Sequence, residues 1–289
     1  MAEALDKLVN EMDQYIDTTE DAFFSGFDAI ENSIYSAIMR QVYKMDQEEG
    51  HILFNETNLL ILAIIANEMV MAIQNSSYPT KVQNFVGSFE DVKNYNLEIQ
   101  NMVNGTPLDE LDVIVTDLQA EITRQVVDGL TGQGMASAFI KPVTEGIYKN
   151  IVSGATIEDL QASLLQVIKG DEARLGAFRR YVTQISRDAI MQYQGQLNAR
   201  IAAEMGYDAY RYVGTIIRDS RPQCIQWLGM GILLKKDLPN LIASAEASGS
   251  GMIPGTTAEN FAIYRGGYNC RHTAVPIKLT KSQKQEMGL

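Results

Sequence analysis

The spacing of apolar residues changes once along the chain, near Gly206, and this change limits the folds that the chain can adopt. Before that glycine, apolar residues recur every three or four positions, as in helices that bury one face. After it, Tyr210 and Tyr212 alternate with Ala209 and Arg211, a pattern typical of a strand. We therefore predict a mainly α protein, in which an N-terminal helical bundle precedes an α+β C-terminal domain with a small antiparallel sheet.

The clearest helical patterns predict helices over residues 22–43, 56–74 and 172–205. Within the second of these, residues 59–66 are apolar on all sides, which predicts a helix at the centre of the bundle. Thr156 with Asp159 three residues later is a variant of the capping box and predicts the start of a further helix.

Other segments are predicted to be irregular or extended. Residues 75–80, NSSYPT, are predicted to form a loop, because proline disfavours the helical conformation in the residue before it. Residues 81–104 show no decisive pattern. Residues 261–279 are predicted to form two strands joined by a tight turn at Gly266–Tyr268.

The net charge of −12 is distributed unevenly. Residues 1–130 contain 6 Lys and Arg against 23 Asp and Glu, a charge of −17, whereas residues 131–289 contain 18 against 13, a charge of +5. A glycine-containing segment, residues 128–142, lies where the charge changes. We therefore predict an acidic helical domain over residues 1–130 and an α+β domain over residues 131–289. DNA contact is expected only through the basic half, because nonspecific DNA affinity depends on Lys and Arg.

Scarce residue types narrow the chemistry further. The chain contains two histidines, His51 and His272, and two cysteines, Cys224 and Cys270. Multi-histidine metal enzymes and disulfide-built secreted scaffolds are therefore excluded. The acidic N-terminus is unlike a signal peptide, and the longest apolar run is far shorter than the roughly 20 residues that span a bilayer. We expect a protein made in a reducing cytoplasm, with no stable membrane span.

Both cysteines and His272 lie in two short arginine-rich segments, IIRDSRPQCIQW and YRGGYNCRHTAVPI. If the strands that bear these segments are neighbours, Cys224, Cys270 and His272 come together with Asp219, Arg221 and Arg271. Three interpretations remain open for this cluster. The residues can be buried thiols with a hydrogen-bonded histidine, zinc ligands with Asp219 or water in the fourth position, or a thiol pair close enough to oxidise. The expected cofactor is none, with zinc as the alternative.

The same segments carry a family resemblance. A long helix, a strand, the motif D-S-R-P-x-C and a closing N-C-R-H follow one another in an order similar to that of the Mu F-like minor head proteins of tailed bacteriophages. A Gly-x-Ile-Pro-Gly-Thr loop, residues 251–256, precedes the closing motif. The resemblance covers about residues 144–279. The matching motif positions are Asp219, Arg221, Cys224, Asn269, Cys270, Arg271 and His272.

The resemblance implies a structural component of the virion, made in the host bacterial cytoplasm and associated with the portal vertex or the head interior. It implies a role in head morphogenesis or in genome delivery during ejection. The expected partners are the portal protein or the major capsid protein. Self-association of the acidic and basic halves is a further interaction that the charges allow.

An enzymatic function is the alternative, and a non-enzymatic one is expected. Cys270 with His272 is the arrangement that could supply a nucleophile and a base, and Arg221, Arg265 and Arg271 could hold a phosphate. The alternative function is therefore a virion-packaged effector that acts on nucleic acid or nucleotides. The non-catalytic expectation is that Asp219 and Arg221 form an ion pair in a turn and that Asn269 caps the turn at Gly266–Gly267.

Overall fold

The computed structural model describes residues 2–171, 173–249, 251–268 and 270–286. The structure is 71% helical and contains small antiparallel sheets, so the predicted fold class is confirmed. The helices are α1 (Ala2–Phe24), α2 (Phe27–Val42), α3 (Glu56–Gln74), α4 (Tyr78–Gly87), α5 (Phe89–Asn104), α6 (Leu108–Thr131), α7 (Gln133–Met135), α8 (Lys141–Ser153), α9 (Ile157–Lys169), α10 (Ala177–Glu204), α11 (Pro222–Met230), α12 (Leu238–Ala247), α13 (Phe261–Tyr264) and α14 (Lys281–Glu286). The strands are β1 (Gln47–Glu48), β2 (His51–Ile52), β3 (Ala209–Val213), β4 (Ile232–Leu234) and β5 (Thr273–Ile277).

The chain forms two compact units, each assembled from separate stretches of sequence. Unit 1 comprises Met1–Glu20, Gly87–Arg124 and Arg187–Leu289, and unit 2 comprises Asp21–Val86 and Gln125–Ser186. Both units therefore contain residues from either side of residue 130. The predicted boundary at residues 130/131 describes how charge is distributed along the sequence, whereas the two units describe which residues pack together.

Unit 2 is a helical unit with an aromatic core. The Tyr78 hydroxyl donates a hydrogen bond to the Leu130 carbonyl at 2.9 Å, which satisfies the one polar atom of that buried ring. The capping box at Thr156 is confirmed, since Thr156 Oγ1 accepts the Asp159 N–H at 3.1 Å and begins α9. Five aromatic rings fill the core, and the centroids of neighbouring rings lie no more than 6.3 Å apart: Phe23, Phe27, Tyr78, Phe85 and Phe178.

Helix α3 buries one face and exposes another, although residues 59–66 in its sequence are all apolar. It packs against α2 and α8 and buries Ile61, Ile65 and Met69, whereas Leu60 is 61% and Ile64 is 47% exposed. The prediction that this helix lies at the centre of the bundle is therefore wrong, because the side of it that carries Leu60 and Ile64 is exposed. Within the described part of the chain, α3 is also the one helix whose length and apolar composition would suffice to cross a membrane, and one such helix is weak evidence of a span.

Several helix boundaries differ from the predicted ones, because local turns begin or end the helices. Gly26 adopts a left-handed conformation, with φ of 75°, and divides the helix predicted over residues 22–43. The predicted loop over residues 75–80 ends early, because α4 begins at Tyr78 with Pro79 in its first turn, where proline is tolerated. The ambiguous residues 81–104 belong to α4 and α5. The third predicted helix begins only at Ala177, because the Asp171 carboxylate holds a turn by accepting two backbone N–H groups.

Unit 1 contains a three-stranded antiparallel sheet in the order β4-β3-β5. In its register Tyr210 pairs with Leu233 and Pro276, and Tyr212 pairs with Ala274. Both tyrosines, predicted to share one face, are buried in the same core as Trp227, the single tryptophan of the chain. Asn104, at the end of α5, connects this helix to the end of β5. Its side chain donates a hydrogen bond to the Pro276 carbonyl and accepts one from the Lys278 N–H, each at 2.9 Å.

The strand predicted over the first part of residues 261–279 is wrong. Residues Phe261–Tyr264 form the short helix α13, and Gly266–Tyr268 connect this helix to β5 instead of joining two strands. The close approach of α10 explains this geometry. A Cβ on Gly195 would lie 2.5 Å from the Ala262 carbonyl oxygen and 2.6 Å from Ile263 Cα, so only glycine allows α13 to pack there.

Candidate functional site

The two cysteines and His272 come together in unit 1, as the sequence predicted. Cys224 Sγ lies 3.9 Å from Cys270 Sγ, and Cys270 Sγ lies 3.5 Å from His272 Nδ1. All three donor atoms lie within 4.8 Å of one another. We call these three residues the Cys–His cluster. Its members are 1%, 4% and 4% exposed, so the cluster belongs to the protein interior.

The elements that carry the cluster differ from those predicted. Cys224 lies on α11, which begins with Pro222, and not on a strand. Cys270 and His272 lie in the irregular segment immediately before β5. The expectation of two neighbouring strands is therefore wrong, because Pro222 occupies the first turn of a helix, where its missing N–H has no intrahelical partner to lose.

Tyr212 on β3 completes the surroundings of the two sulfurs. Its hydroxyl donates to Cys224 Sγ at 3.6 Å and lies 3.5 Å from Cys270 Sγ. Its ring stacks on the His272 ring with centroids 5.5 Å apart, and it meets Trp227 edge-on at the same distance. No sequence signal distinguished Tyr212, although the strand alternation that places it on the same face as Tyr210 was visible.

Glycine at position 266 leaves room for the cluster. A Cβ at Gly266 would lie 2.2 Å from Cys224 Sγ, 3.0 Å from Cys270 Sγ and 3.2 Å from the Tyr212 hydroxyl. Gly267 adopts a φ of 105°, and a Cβ there would lie 2.1 Å from the Gly251 carbonyl oxygen. The loop of residues 251–256 therefore packs directly on the Gly266–Tyr268 connection.

The two thiols titrate as one coupled pair. The hydrogen bond from Cys224 lowers the pKa of the Cys270 thiol well below its ordinary value, and His272 and the positive charge of Arg265 act in the same direction. The hydrogen bond with Cys270 raises the pKa of Cys224, and burial adds to this effect. The pair therefore loses its first proton easily and its second with difficulty. Burial also raises the pKa of Tyr212, so this hydroxyl remains a donor.

The charged motif residues surround the cluster without entering it. Arg221 donates to the carbonyl oxygens of Gly266, at 3.2 Å, and Tyr268, at 2.6 Å, and so fastens the N-terminus of α11 to the connection before β5. Within the described residues, Arg221 forms no ion pair with Asp219, contrary to prediction, because its guanidinium faces these carbonyls. Asp219 lies in an exposed turn and is not in position to be the fourth ligand. Arg271 pairs instead with Asp17 on α1, at 3.0 Å.

Asn269, predicted to cap the turn at Gly266–Gly267, lies outside the described residues. That turn is held in the structure by other contacts. The Gly267 N–H donates to the Tyr264 carbonyl at 2.9 Å, and the Gln223 side chain donates to the Gly266 carbonyl at 3.1 Å.

A cavity of about 90 Å³ adjoins the cluster in unit 1. Its lining includes Cys270, the arginines Arg265 and Arg271, and the carboxyl groups of Asp13 and Asp188. Burial, with a smaller effect of Asp17, raises the pKa of Asp13 from 3.8 to about 7. The opposite charges in the lining make this a mixed environment and not a simple anion site.

Arg265 does not lie free for phosphate binding. It is 3% exposed, donates to the Met191 carbonyl at 2.9 Å and has a backbone φ of 47°. The three arginines proposed as a phosphate clamp therefore have separate partners: main-chain carbonyls for Arg221 and Arg265, and Asp17 for Arg271.

The arrangement as a whole offers two sulfurs, an imidazole nitrogen and a phenolic oxygen at one buried point. Such a set can bind a metal ion, form a disulfide after a sulfur shift, or pack as a hydrogen-bonded thiol pair. Comparisons of the chain with protein-family models, with curated proteins and with solved structures find no match. The geometry and the sequence motifs therefore carry the functional assignment.

Proposed function

We propose that this chain is a minor structural protein of a tailed-phage virion, located at the portal vertex or in the head interior, that acts in head morphogenesis or genome delivery. One observation carries the proposal beyond the motifs themselves. The segments that carry the resemblance, residues 219–224 and 265–272, pack against each other around the Cys–His cluster, although they are more than forty residues apart in sequence. The motif is therefore one spatial unit.

The burial of the cluster supports a structural role. A cysteine nucleophile must be reachable by its substrate, whereas Cys224 and Cys270 are 1% and 4% exposed. The hydrogen bonds of Arg221 end on main-chain carbonyls of the connection before β5, so the charged motif residue also serves to hold the fold. In this proposal the portal or the major capsid protein is the partner, and the basic half of the sequence provides any contact with DNA or acidic protein.

A second candidate is a virion-packaged effector enzyme that uses Cys270 and His272. The observation in its favour is that Cys270 borders the cavity described above, together with Arg265 and Arg271. This candidate predicts that a variant with His272 replaced enters particles normally and loses an activity on nucleic acid or nucleotides.

Deletion of the gene from the phage that carries it, with the chain supplied from a plasmid, tests the proposal. We expect the deletion to reduce the yield of DNA-filled heads counted by electron microscopy, or the infectivity of those heads, and the wild-type chain to restore it. The variants Cys224→Ser and His272→Ala should restore heads only as far as they fold. Normal numbers of filled, infectious heads without the chain would contradict the structural role. If those heads instead lack an activity on nucleic acid or nucleotides that wild-type heads carry, the effector candidate would be favoured.

A further inference from the structure

We propose that the Cys–His cluster binds one zinc ion, with Cys224 Sγ, Cys270 Sγ and His272 Nδ1 as ligands and the Tyr212 hydroxyl oxygen in the fourth position. The ion fastens the segment before β5 to α11 and β3. This inference concerns the chemistry of the fold and is independent of the proposed role in a virion.

The spacing of the donor atoms matches a tetrahedral zinc site. Zinc binds sulfur at about 2.3 Å and nitrogen at about 2.0 Å, which in a tetrahedron places two sulfurs about 3.8 Å apart and a sulfur and a nitrogen about 3.5 Å apart. The distances here are 3.9 Å between the Cys224 and Cys270 sulfurs and 3.5 Å between Cys270 Sγ and His272 Nδ1. These two distances are close to those around a bound ion, and the third pair, Cys224 Sγ and His272 Nδ1, lies within 4.8 Å.

The fourth position follows from the two distances of Tyr212. An oxygen ligand at about 2.0 Å from zinc lies about 3.5 Å from each sulfur ligand. The Tyr212 hydroxyl lies 3.6 Å from Cys224 Sγ and 3.5 Å from Cys270 Sγ. The absence of a side chain at Gly266 keeps the space beside these three atoms open, because a Cβ there would contact all of them.

Charge favours zinc in this interior. Two thiolates balance the double positive charge of the ion, and a neutral imidazole and a neutral phenol add none, so the buried site has no net charge. A disulfide is the less direct alternative, since its sulfurs would have to approach from 3.9 Å to about 2.05 Å.

The direct test is the zinc content of the purified full chain. The protein is prepared under reducing conditions without a polyhistidine tag, equilibrated with zinc chloride, freed of excess metal and analysed by inductively coupled plasma mass spectrometry. We expect about one zinc per chain. Less than about a tenth of an equivalent would overturn the proposal, as would an intact mass that shows a disulfide between the two cysteines.

The composition of the chain provides a matched control. His51→Ala removes the other histidine, which is exposed and hydrogen-bonded to the Gly154 carbonyl, and should leave the zinc content unchanged. His272→Ala should lose the zinc. Equal zinc content in the two variants would refute the assignment of ligands.

Cobalt substitution keeps the proposal testable if buried ligand variants fail to fold. The wild-type chain with cobalt chloride should show a thiolate charge-transfer band and the intense visible bands of a tetrahedral ion. Tyr212→Phe should keep the charge-transfer band, alter the visible bands and weaken zinc affinity by about 10-fold or more. Octahedral cobalt bands in the wild-type chain would overturn the site, and an unchanged spectrum in Tyr212→Phe would overturn the fourth ligand.

Discussion

Substitution of Gly266 by alanine is expected to destabilise unit 1, because the new Cβ would lie among the donor atoms of the Cys–His cluster. The Cβ would be 2.2 Å from Cys224 Sγ, whereas comfortable contacts between such atoms are about 3.5–4.0 Å. The sulfur must therefore move by more than 1 Å in a packed core. Overpacking of this kind costs about 1–3 kcal/mol, and we expect about 3 kcal/mol here, because Cys270 and Tyr212 are also displaced.

Urea unfolding monitored by the fluorescence of Trp227 measures this cost. Trp227 is the single tryptophan, is 1% exposed and packs on Tyr212, so its emission reports on the core around the cluster. A loss of about 3 kcal/mol lowers the urea midpoint by about 1 M or more. Gly229→Ala on α11 is the matched control, because a Cβ there meets nothing within 4 Å and should leave the midpoint unchanged or slightly higher.

A double variant identifies the cause of the destabilisation. Cys224→Ala removes the sulfur that the new Cβ would contact most closely. Gly266→Ala combined with Cys224→Ala should therefore be less destabilised than the sum of the two single variants. Equal midpoints for Gly266→Ala and Gly229→Ala, or strict additivity in the double variant, would refute the geometry described for the cluster.

Three further predictions concern other parts of the chain. Because burial raises its pKa from 3.8 to about 7, Asp13 contributes stability below pH 3.8 that is lost as the pH rises to about 7. Asp13→Asn should remove up to about 4 kcal/mol of this pH dependence of the free energy of unfolding. In urea titrations at pH 8 the variant should therefore be more stable than the wild type. Thr156→Ala should cost about 1 kcal/mol in thermal unfolding followed by circular dichroism, Thr156→Ser should not, and equal losses would contradict the capping box. Gly195→Ala should destabilise by about 2 kcal/mol or more, whereas Gly146→Ala, in open space on α8, should stabilise by about 0.5–1 kcal/mol; the same sign for both would contradict the close packing of α10 on α13.

The parts of the fold that could be predicted from sequence are those determined by local patterns. The boundaries of α3 were predicted to the residue from its apolar composition, and the start of α9 from the capping box at Thr156. Which faces of a helix are covered depends on neighbours that the sequence does not reveal. The exposed face of α3, with Leu60 and Ile64, is an example, because a helix that is apolar all round indicates nothing about which side has a partner.

The assembly of the two units was beyond the reach of local patterns for the same reason. Unit 1 contains residues 1–20, 87–124 and 187–289, so its contacts join residues that are far apart in sequence. The change in charge near residue 130 is a real property of the sequence. It describes composition, whereas packing is decided by which apolar faces fit together.

The sequence predicted the three members of the Cys–His cluster, but it wrongly added Asp219, Arg221 and Arg271 and wrongly placed the cluster on two strands. The scarcity of cysteine and histidine made Cys224, Cys270 and His272 the natural grouping, and the structure places them together. The aromatic residues at 261–264 suggested a strand, but the close approach permitted by Gly195 allows a short helix there. Tyr212 was missed because a buried tyrosine in a strand has no sequence signature that distinguishes a ligand from a core residue.

The most direct test of the proposed function is the copy number of the chain in purified particles. DNA-filled heads are isolated from the phage that carries the gene under this proposal, and the chain is quantified by mass spectrometry against the major capsid protein. We predict a constant copy number, well below that of the major capsid protein and unchanged after washing with high salt. Absence of the chain from filled heads, while it is abundant in the lysate of infected cells, would contradict the assignment as a virion protein.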